Sequence, residues 1–172
     1  MQAGELATRM LRAPMGLVLA SDARLSFTSD VSGKLFHYSH RVTYAECTIG
    51  DHVYYSRYLD LLEAARNEFF RSLGMSFQSL CEQDTAFPVI ECQLKYRFPA
   101  RYDDLLNAAI WLSACGGARV DFEYRVVNQF SKLILEGRTF HVCTTTREKP
   151  KRLPRELIDR LRPFVSAKGS KD

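Results

Sequence analysis

The chain has 172 residues, of which 46% are apolar and 12% aromatic; this composition fits one globular domain and excludes a disordered chain. The formal net charge is +4, and residues 147–172 hold nine Lys and Arg against four Asp and Glu, so the excess is local. No apolar run approaches the ~20 residues that span a bilayer. The five cysteines form no CxxC pair, which predicts no zinc or redox motif and favours a reducing, cytoplasmic setting.

The first 35 residues differ from the rest of the chain. Residues 13–20 form a short apolar run that Pro14 and Gly16 interrupt, which makes a poor core for a signal peptide. We therefore expect residues 1–35 to be a poorly ordered N-terminal extension. The predicted folded domain is 36–164, and residues 165–172 are predicted to be a basic tail.

A strand over 36–47 and a long helix over 53–73 are the first predicted elements. Apolar residues of the helix recur at intervals of three and four and form one stripe, consisting of Tyr58, Leu61, Leu62, Ala65, Phe69 and Leu73. Gly74 ends the helix. A polar turn over 48–52 precedes it, and the first free N–H groups, near residues 53–55, would point outwards and receive negative charge.

Four further strands are predicted over residues 90–98, 105–115, 119–126 and 133–146. The first and third alternate apolar with polar residues, the period of a strand with one buried face. Gly137 suggests a bulge or a close approach of two backbones. Short turns between strands require antiparallel neighbours. The expected fold is α+β: a five-stranded antiparallel sheet wrapped around one long central helix.

Three motifs carry a family resemblance: His52-Val-Tyr-Tyr-Ser-Arg-Tyr-Leu59, Glu63-Ala-Ala-Arg66 and Tyr102-Asp-Asp104. The chain resembles the hotdog-fold acyl-CoA thioesterases of the 4-hydroxybenzoyl-CoA thioesterase and YbgC-like family. The resemblance implies hydrolysis of a thioester to a free acid and coenzyme A, in a homodimer or homotetramer with active sites between protomers. It implies no metal and no separate cofactor, because coenzyme A is part of the substrate.

The resemblance also implies an aspartate just before the helix, acting as nucleophile or as base for water. Thr48 stands at that position here and cannot act as a carboxylate base. Asp51 could replace it, although its side chain could equally cap the helix. Glu63 matches a catalytic glutamate of a second hotdog group, although it could instead pair with Arg66. A carboxylate-free mechanism is the third alternative, and in each the Tyr55 N–H would hold the thioester carbonyl.

Substrate-binding residues are predicted around the same turn and helix start: His52, Val53, Tyr54 and Tyr58. Arg97 and Arg101 are candidates for the phosphates of coenzyme A. Two other functions stay open, hydrolysis of a carrier-protein-bound acyl or polyketide thioester without a carboxylate base, and a non-catalytic acyl-thioester binding module. Phe164 is the one aromatic residue among the C-terminal cations, which argues against nucleic-acid binding by stacking.

Overall fold

The computed structural model describes residues 32–166. The expectation for residues 1–35 therefore lies outside the described residues, except for the last four, of which Lys34 donates its N–H to the Pro163 carbonyl at 2.8 Å. The predicted basic tail also lies outside, apart from Val165 and Ser166. Ser166 donates its N–H to the carbonyl of Leu112 at 2.8 Å, which ties the end of the described chain to the sheet.

Five strands form one antiparallel sheet in the order β1-β5-β6-β7-β4. Their bounds are β1 Phe36–Arg41, β4 Val89–Tyr96, β5 Leu105–Gly116, β6 Arg119–Val127 and β7 Leu133–Val142. A separate two-stranded hairpin is made of β2, Cys47–Thr48, and β3, His52–Val53. The predicted five-stranded antiparallel sheet is confirmed. The first strand is shorter than predicted because the Glu46 carboxylate accepts from the Thr43 N–H and hydroxyl, which turns the chain away from the sheet.

The long helix α1 spans Arg57–Ser72 and packs its apolar stripe on the sheet. The predicted stripe is buried as expected, apart from the partly buried Leu73, and Phe70 joins it. Gly74, at φ +73°, follows the helix end as predicted. The predicted start at residue 53 is wrong, because His52–Val53 pairs with Cys47–Thr48 and the Val53 N–H donates to the Ala100 carbonyl.

Two short helices complete the fold, α2 at Phe77–Glu82 and α3 at Arg155–Leu161. Leu157 and Leu161 of α3 are fully buried, and Phe164, just beyond it, places its ring 4.9 Å from that of Phe69. The C-terminal segment therefore helps to close the core between α1 and the sheet. Within residues 32–166, no helix is long and apolar enough to cross a membrane.

Strand β4 lies at one edge of the sheet and pairs only with β7. Its alternating sequence predicted a buried face, and that prediction is wrong for most of the strand, since its first four residues are exposed and the next three only partly covered. Val89, Ile90 and Tyr96 are large apolar residues with about half or more of their surface exposed. Strand β4 is therefore an edge strand with an unpaired backbone edge and exposed apolar side chains.

The close approach predicted at Gly137 is confirmed. Gly137 of β7 pairs with Leu94 of β4, and a Cβ atom built on it would lie 2.5 Å from the Gln93 carbonyl oxygen. Replacing Gly137 by alanine is therefore expected to push β4 outwards and to lower the free energy of unfolding by about 1–3 kcal/mol. Urea unfolding of Gly137→Ala measures this effect. Gly116→Ala is the matched control, because a Cβ there meets no atom within 4 Å, and equal losses in both variants would contradict the prediction.

Candidate active site

The hairpin of β2 and β3 carries the predicted Thr48 and Asp51. Its turn needs left-handed backbone, with φ +91° at Gly50 and +58° at Asp51, and it closes through an Asp51 N–H bond to the Thr48 carbonyl at 3.1 Å. Thr48 is exposed at the end of β2 and pairs with His52. The hairpin thus holds these residues beside the loop that leads into α1.

Asp51 does not cap α1, so the prediction that its side chain could be the helix cap is wrong. The helix begins at Arg57, and its N-cap residue is Ser56. The Asp51 carboxylate accepts the Tyr102 N–H at 3.2 Å and lies 3.6 Å from Arg101 Nη1. Arg101 Nη1 also donates to the carbonyls of Gly50 and Asp51, at 3.3 and 3.4 Å. Asp51 and Arg101 therefore join two loops, while about half of each side chain stays exposed.

A cleft of about 290 Å³, which we call the helix-start cleft, opens between the hairpin, the start of α1 and the end of β4. It is lined by His52, Val53, Tyr55, Tyr58, Tyr96, Arg97, Phe98 and Pro99. Five predicted site residues thus meet in one place, four from residues 52–58 and Arg97 from the chain just after β4. Tyr54 does not line the cleft; its ring packs 4.6 Å from that of Tyr55.

Three backbone N–H groups were predicted to point outwards at residues 53–55. Two of them are already used, since Val53 donates to Ala100 at 3.0 Å and Tyr54 donates to Glu46 at 2.9 Å. Among residues 32–166, the N–H of Tyr55 has no hydrogen-bond acceptor. It is therefore the amide of this loop that can receive an oxygen atom of a ligand.

Aromatic side chains fix the wall of the cleft. The Tyr58 hydroxyl accepts the Ala100 N–H at 3.0 Å, and burial raises the pKa of Tyr58. The rings of Tyr58 and Tyr96 lie 5.5 Å apart, and the Tyr96 hydroxyl donates to the Tyr55 carbonyl at 3.2 Å. Arg97, at the rim, donates from Nε and Nη2 to the buried Glu136 carboxylate. The loop that presents the Tyr55 N–H is thus held from several sides.

Glu63, the other carboxylate predicted to be catalytic, does not line the helix-start cleft. It lines a second cavity of about 270 Å³, which we call the Glu63 cavity, on the side of α1 that faces α2 and the start of β4. Its carboxylate is exposed and makes no hydrogen bond or ion pair within the described part of the chain. The lining is largely apolar and aromatic, with Glu63, Arg66, Asn67, Thr85 and His141 as its polar members. Within the single chain, therefore, Glu63 and Tyr55 belong to separate pockets.

Sequence reasoning missed the polar chain at the back of the Glu63 cavity. Arg66 donates to the Tyr124 hydroxyl at 3.0 Å, and Thr139 Oγ1 lies 2.8 Å both from that hydroxyl and from His141 Nε2. His141 Nδ1 meets the Phe87 carbonyl at 3.0 Å. The available signal was Thr139 and His141, two residues apart on a strand and hence on one face. Their partners Arg66, Phe87 and Tyr124 lie far away in sequence, so only the fold shows these contacts.

The buried His141 predicts a pH dependence of stability. Burial lowers its pKa to about 4, against ~6.5 in an unfolded chain. Between these values the unfolded chain binds a proton that the folded protein does not, so stability is complete above ~pH 6.5 and falls towards pH 4, by about 3 kcal/mol. Urea unfolding at ~pH 7 and ~pH 4.5 measures the loss. His141→Gln should be less sensitive to this change, and an unaltered dependence in that variant would contradict the assignment.

A long helix held by a five-stranded antiparallel sheet, with a cleft at the helix start, defines the hotdog class of proteins. The model of the thioesterase-like superfamily matches residues 42–161, and the chain belongs to that family.

Named relatives agree with this assignment. The chain is 34% identical to the acyl-CoA thioesterase YbgC of Haemophilus influenzae, over 71% of this chain and 90% of that protein. It is 32% identical to the acyl-CoA thioester hydrolase YbgC of Escherichia coli O157:H7, over 72% and 93% of the two chains. A crystal structure of a hypothetical protein from Thermus thermophilus superposes with a TM-score of 0.70 at 30% identity, covering 74% and 98%. The predicted family resemblance is thereby confirmed.

Proposed function

We propose that the protein hydrolyses acyl-CoA thioesters to a free acid and coenzyme A. The observation that carries this proposal is the N–H of Tyr55, a residue of the helix-start cleft, which has no acceptor among residues 32–166. A thioester carbonyl oxygen placed on this N–H would be stabilised as negative charge develops on it. The two named relatives, which match most of this chain, are an acyl-CoA thioester hydrolase and an acyl-CoA thioesterase.

In the proposed reaction, water attacks the thioester carbonyl carbon while a carboxylate takes a proton from the water. The tetrahedral intermediate holds its oxyanion on the Tyr55 N–H, then collapses and breaks the C–S bond, and the coenzyme A thiolate leaves and takes up a proton. Water is the only co-substrate, and the reaction uses no further cofactor. Five cysteines that form no disulfide fit our proposal that the protein works in the reducing cytoplasm.

Glu63 is our candidate for the base. Thr48 has no carboxylate, and the Asp51 carboxylate is held by the Tyr102 N–H and Arg101. Glu63 is exposed and uncommitted among the described residues. Asp51 is the second candidate, and a mechanism without a carboxylate is the third.

A homodimer would bring Glu63 to the helix-start cleft. The edge strand β4 begins at Val89, which lines the Glu63 cavity, and ends at Tyr96, which lines the cleft. If two β4 strands pair antiparallel about a twofold axis, the start of each strand lies beside the end of the other. Glu63 of one protomer then approaches Tyr55 of its partner. The exposed backbone and apolar side chains of β4 support this pairing.

Mixing two inactive variants tests the shared site. Glu63→Gln removes the base, and Tyr55→Pro removes the N–H, which has no acceptor within residues 32–166. If each site uses Tyr55 of one protomer and Glu63 of the other, random exchange should restore about a quarter of the wild-type activity. No recovery, despite exchange verified by mass, would place both residues in sites within one protomer.

The function itself is tested by release of free thiol from short, long and aromatic acyl-CoAs, with one acyl-carrier-protein thioester alongside. We expect turnover of at least one acyl-CoA, with a kcat/KM that exceeds the value for the carrier-protein substrate. Preference for the carrier-protein substrate would favour that alternative donor. Binding of acyl-CoA without any thiol release would overturn the enzyme proposal in favour of an acyl-thioester binding module.

A further inference from the structure

The Glu63 cavity has the dimensions and the lining of a site for a small acyl group. Its walls are mainly apolar and aromatic, and they come from α1, α2, the segment before β4 and the sheet. Its volume is about 270 Å³, at the small end of the ~300–1,000 Å³ range of ligand pockets. A short acyl chain or a single ring therefore suits it better than a long fatty acyl chain.

One cation stands in this apolar lining. Arg66 is half-buried on α1, and among the described residues its guanidinium has one hydrogen-bond partner, the Tyr124 hydroxyl. No carboxylate of residues 32–166 forms an ion pair with it, although Glu63 lies three residues earlier on the same helix. A guanidinium carries five N–H donors in a planar fork. Four of these donors therefore remain for a ligand or for solvent.

The hydrogen bonds behind Arg66 have a single consistent direction. The Phe87 carbonyl can only accept, so His141 donates from Nδ1 and its Nε2 accepts from the Thr139 hydroxyl. The Thr139 oxygen then accepts from the Tyr124 hydroxyl, and the Tyr124 oxygen accepts from Arg66. Every hydrogen bond in this series has one assigned donor and one assigned acceptor, so the series fixes the position of the guanidinium before any ligand arrives.

We propose that the Glu63 cavity receives the acyl group of the substrate and that Arg66 binds a carboxylate at its far end. The substrate class is then the coenzyme A monothioester of a short dicarboxylic acid. A carboxylate in an apolar cavity is unfavourable unless it is paired, and a planar guanidinium binds both carboxylate oxygens at once. This inference rests on the proposed thioesterase function and adds the chemistry of the acyl group.

The test compares adipoyl-CoA with hexanoyl-CoA, which have the same six-carbon chain and differ in the terminal carboxylate. Wild-type protein should show a kcat/KM at least about 10-fold higher for adipoyl-CoA, the result of one well-placed charged hydrogen bond. Arg66→Gln should abolish this preference: the ratio of kcat/KM for adipoyl-CoA to that for hexanoyl-CoA should fall to about one, because adipoyl-CoA loses its charged contact.

Two further variants separate recognition from folding. Arg57→Gln removes a cation from the first turn of the same helix, where Arg57 pairs with Asp60 outside the cavity, and should keep the preference. Tyr124→Phe keeps the guanidinium but removes the hydroxyl that holds it, and should reduce the preference mainly through the KM for adipoyl-CoA. Equal turnover of both substrates by wild type, or an equal loss of both in Arg66→Gln, would overturn the inference and leave the thioesterase function standing. If the wild-type protein hydrolysed neither of these two substrates nor any other acyl-CoA, both this inference and the thioesterase function would be overturned.

Discussion

Replacing Glu63 by glutamine is expected to lower kcat for thioester hydrolysis by about 100-fold or more while leaving the free energy of unfolding nearly unchanged. Loss of a general base typically costs 10²–10⁴-fold in rate. Stability should persist because the Glu63 carboxylate is exposed and makes no hydrogen bond or ion pair within residues 32–166, and such surface changes usually stay within about 0.5 kcal/mol. Single-turnover kinetics on an accepted acyl-CoA, together with urea unfolding, measure both quantities.

Asp51→Asn is the matched control for this prediction. The amide oxygen of asparagine can still accept the Tyr102 N–H that Asp51 now accepts, so the hairpin should keep its place and kcat should fall by less than about 10-fold. A 100-fold loss in Asp51→Asn with an active Glu63→Gln would make Asp51 the base. Two fully active variants would instead establish a mechanism without a carboxylate.

The second large effect is expected in the core. Replacing Phe69 by alanine should lower the free energy of unfolding by about 3–5 kcal/mol, the usual cost of truncating a buried phenylalanine. Phe69 is completely buried on α1, and its ring contacts those of Phe36, Phe122 and Phe164 at 5.6, 5.9 and 4.9 Å. It thus joins the helix, the edge strand β1, the central strand β6 and the C-terminal segment, so the cavity left by the alanine has little freedom to collapse.

Urea unfolding of Phe69→Ala measures the effect, and Phe130→Ala is its control. Phe130 lies on the turn between β6 and β7 with 78% of its surface exposed, so its removal should change stability by less than about 0.5 kcal/mol. A loss below about 1 kcal/mol in Phe69→Ala would mean that the four elements do not depend on this ring.

The sheet and the buried stripe of α1 could be predicted from the sequence because periodicity reports which face of an element is buried. The start of α1 could not, because the amides of Val53 and Tyr54 are taken by carbonyls of Ala100 and Glu46. One of these partners is 47 residues away in sequence. Such long-range competition for backbone donors leaves no local pattern, and so the helix was predicted four residues too long at its start.

The candidate site, too, could be predicted from the sequence only in part. The motif around His52 and Tyr55 located the helix-start cleft, because these residues are adjacent along the chain and stay adjacent in the fold. The chain from Arg66 through Tyr124 and Thr139 to His141 joins a helix and two strands. No spacing rule connects those positions. The exposure of β4 was equally hidden, since alternation alone does not say whether a strand lies inside a sheet or at its edge.

The open edge of β4 also bears on how one protomer of the proposed homodimer behaves before it pairs. A row of backbone donors and acceptors flanked by Val89, Ile90 and Tyr96 is a template for any extended chain, so an isolated protomer is prone to pair with the wrong neighbour. If the proposed homodimer forms, assembly and folding are linked by mass action, and the melting temperature should rise with protein concentration. Dilution of that homodimer would lower its stability. At high protein concentration the β4 edge would be protected from mispairing only where correct partners outnumber other exposed strands.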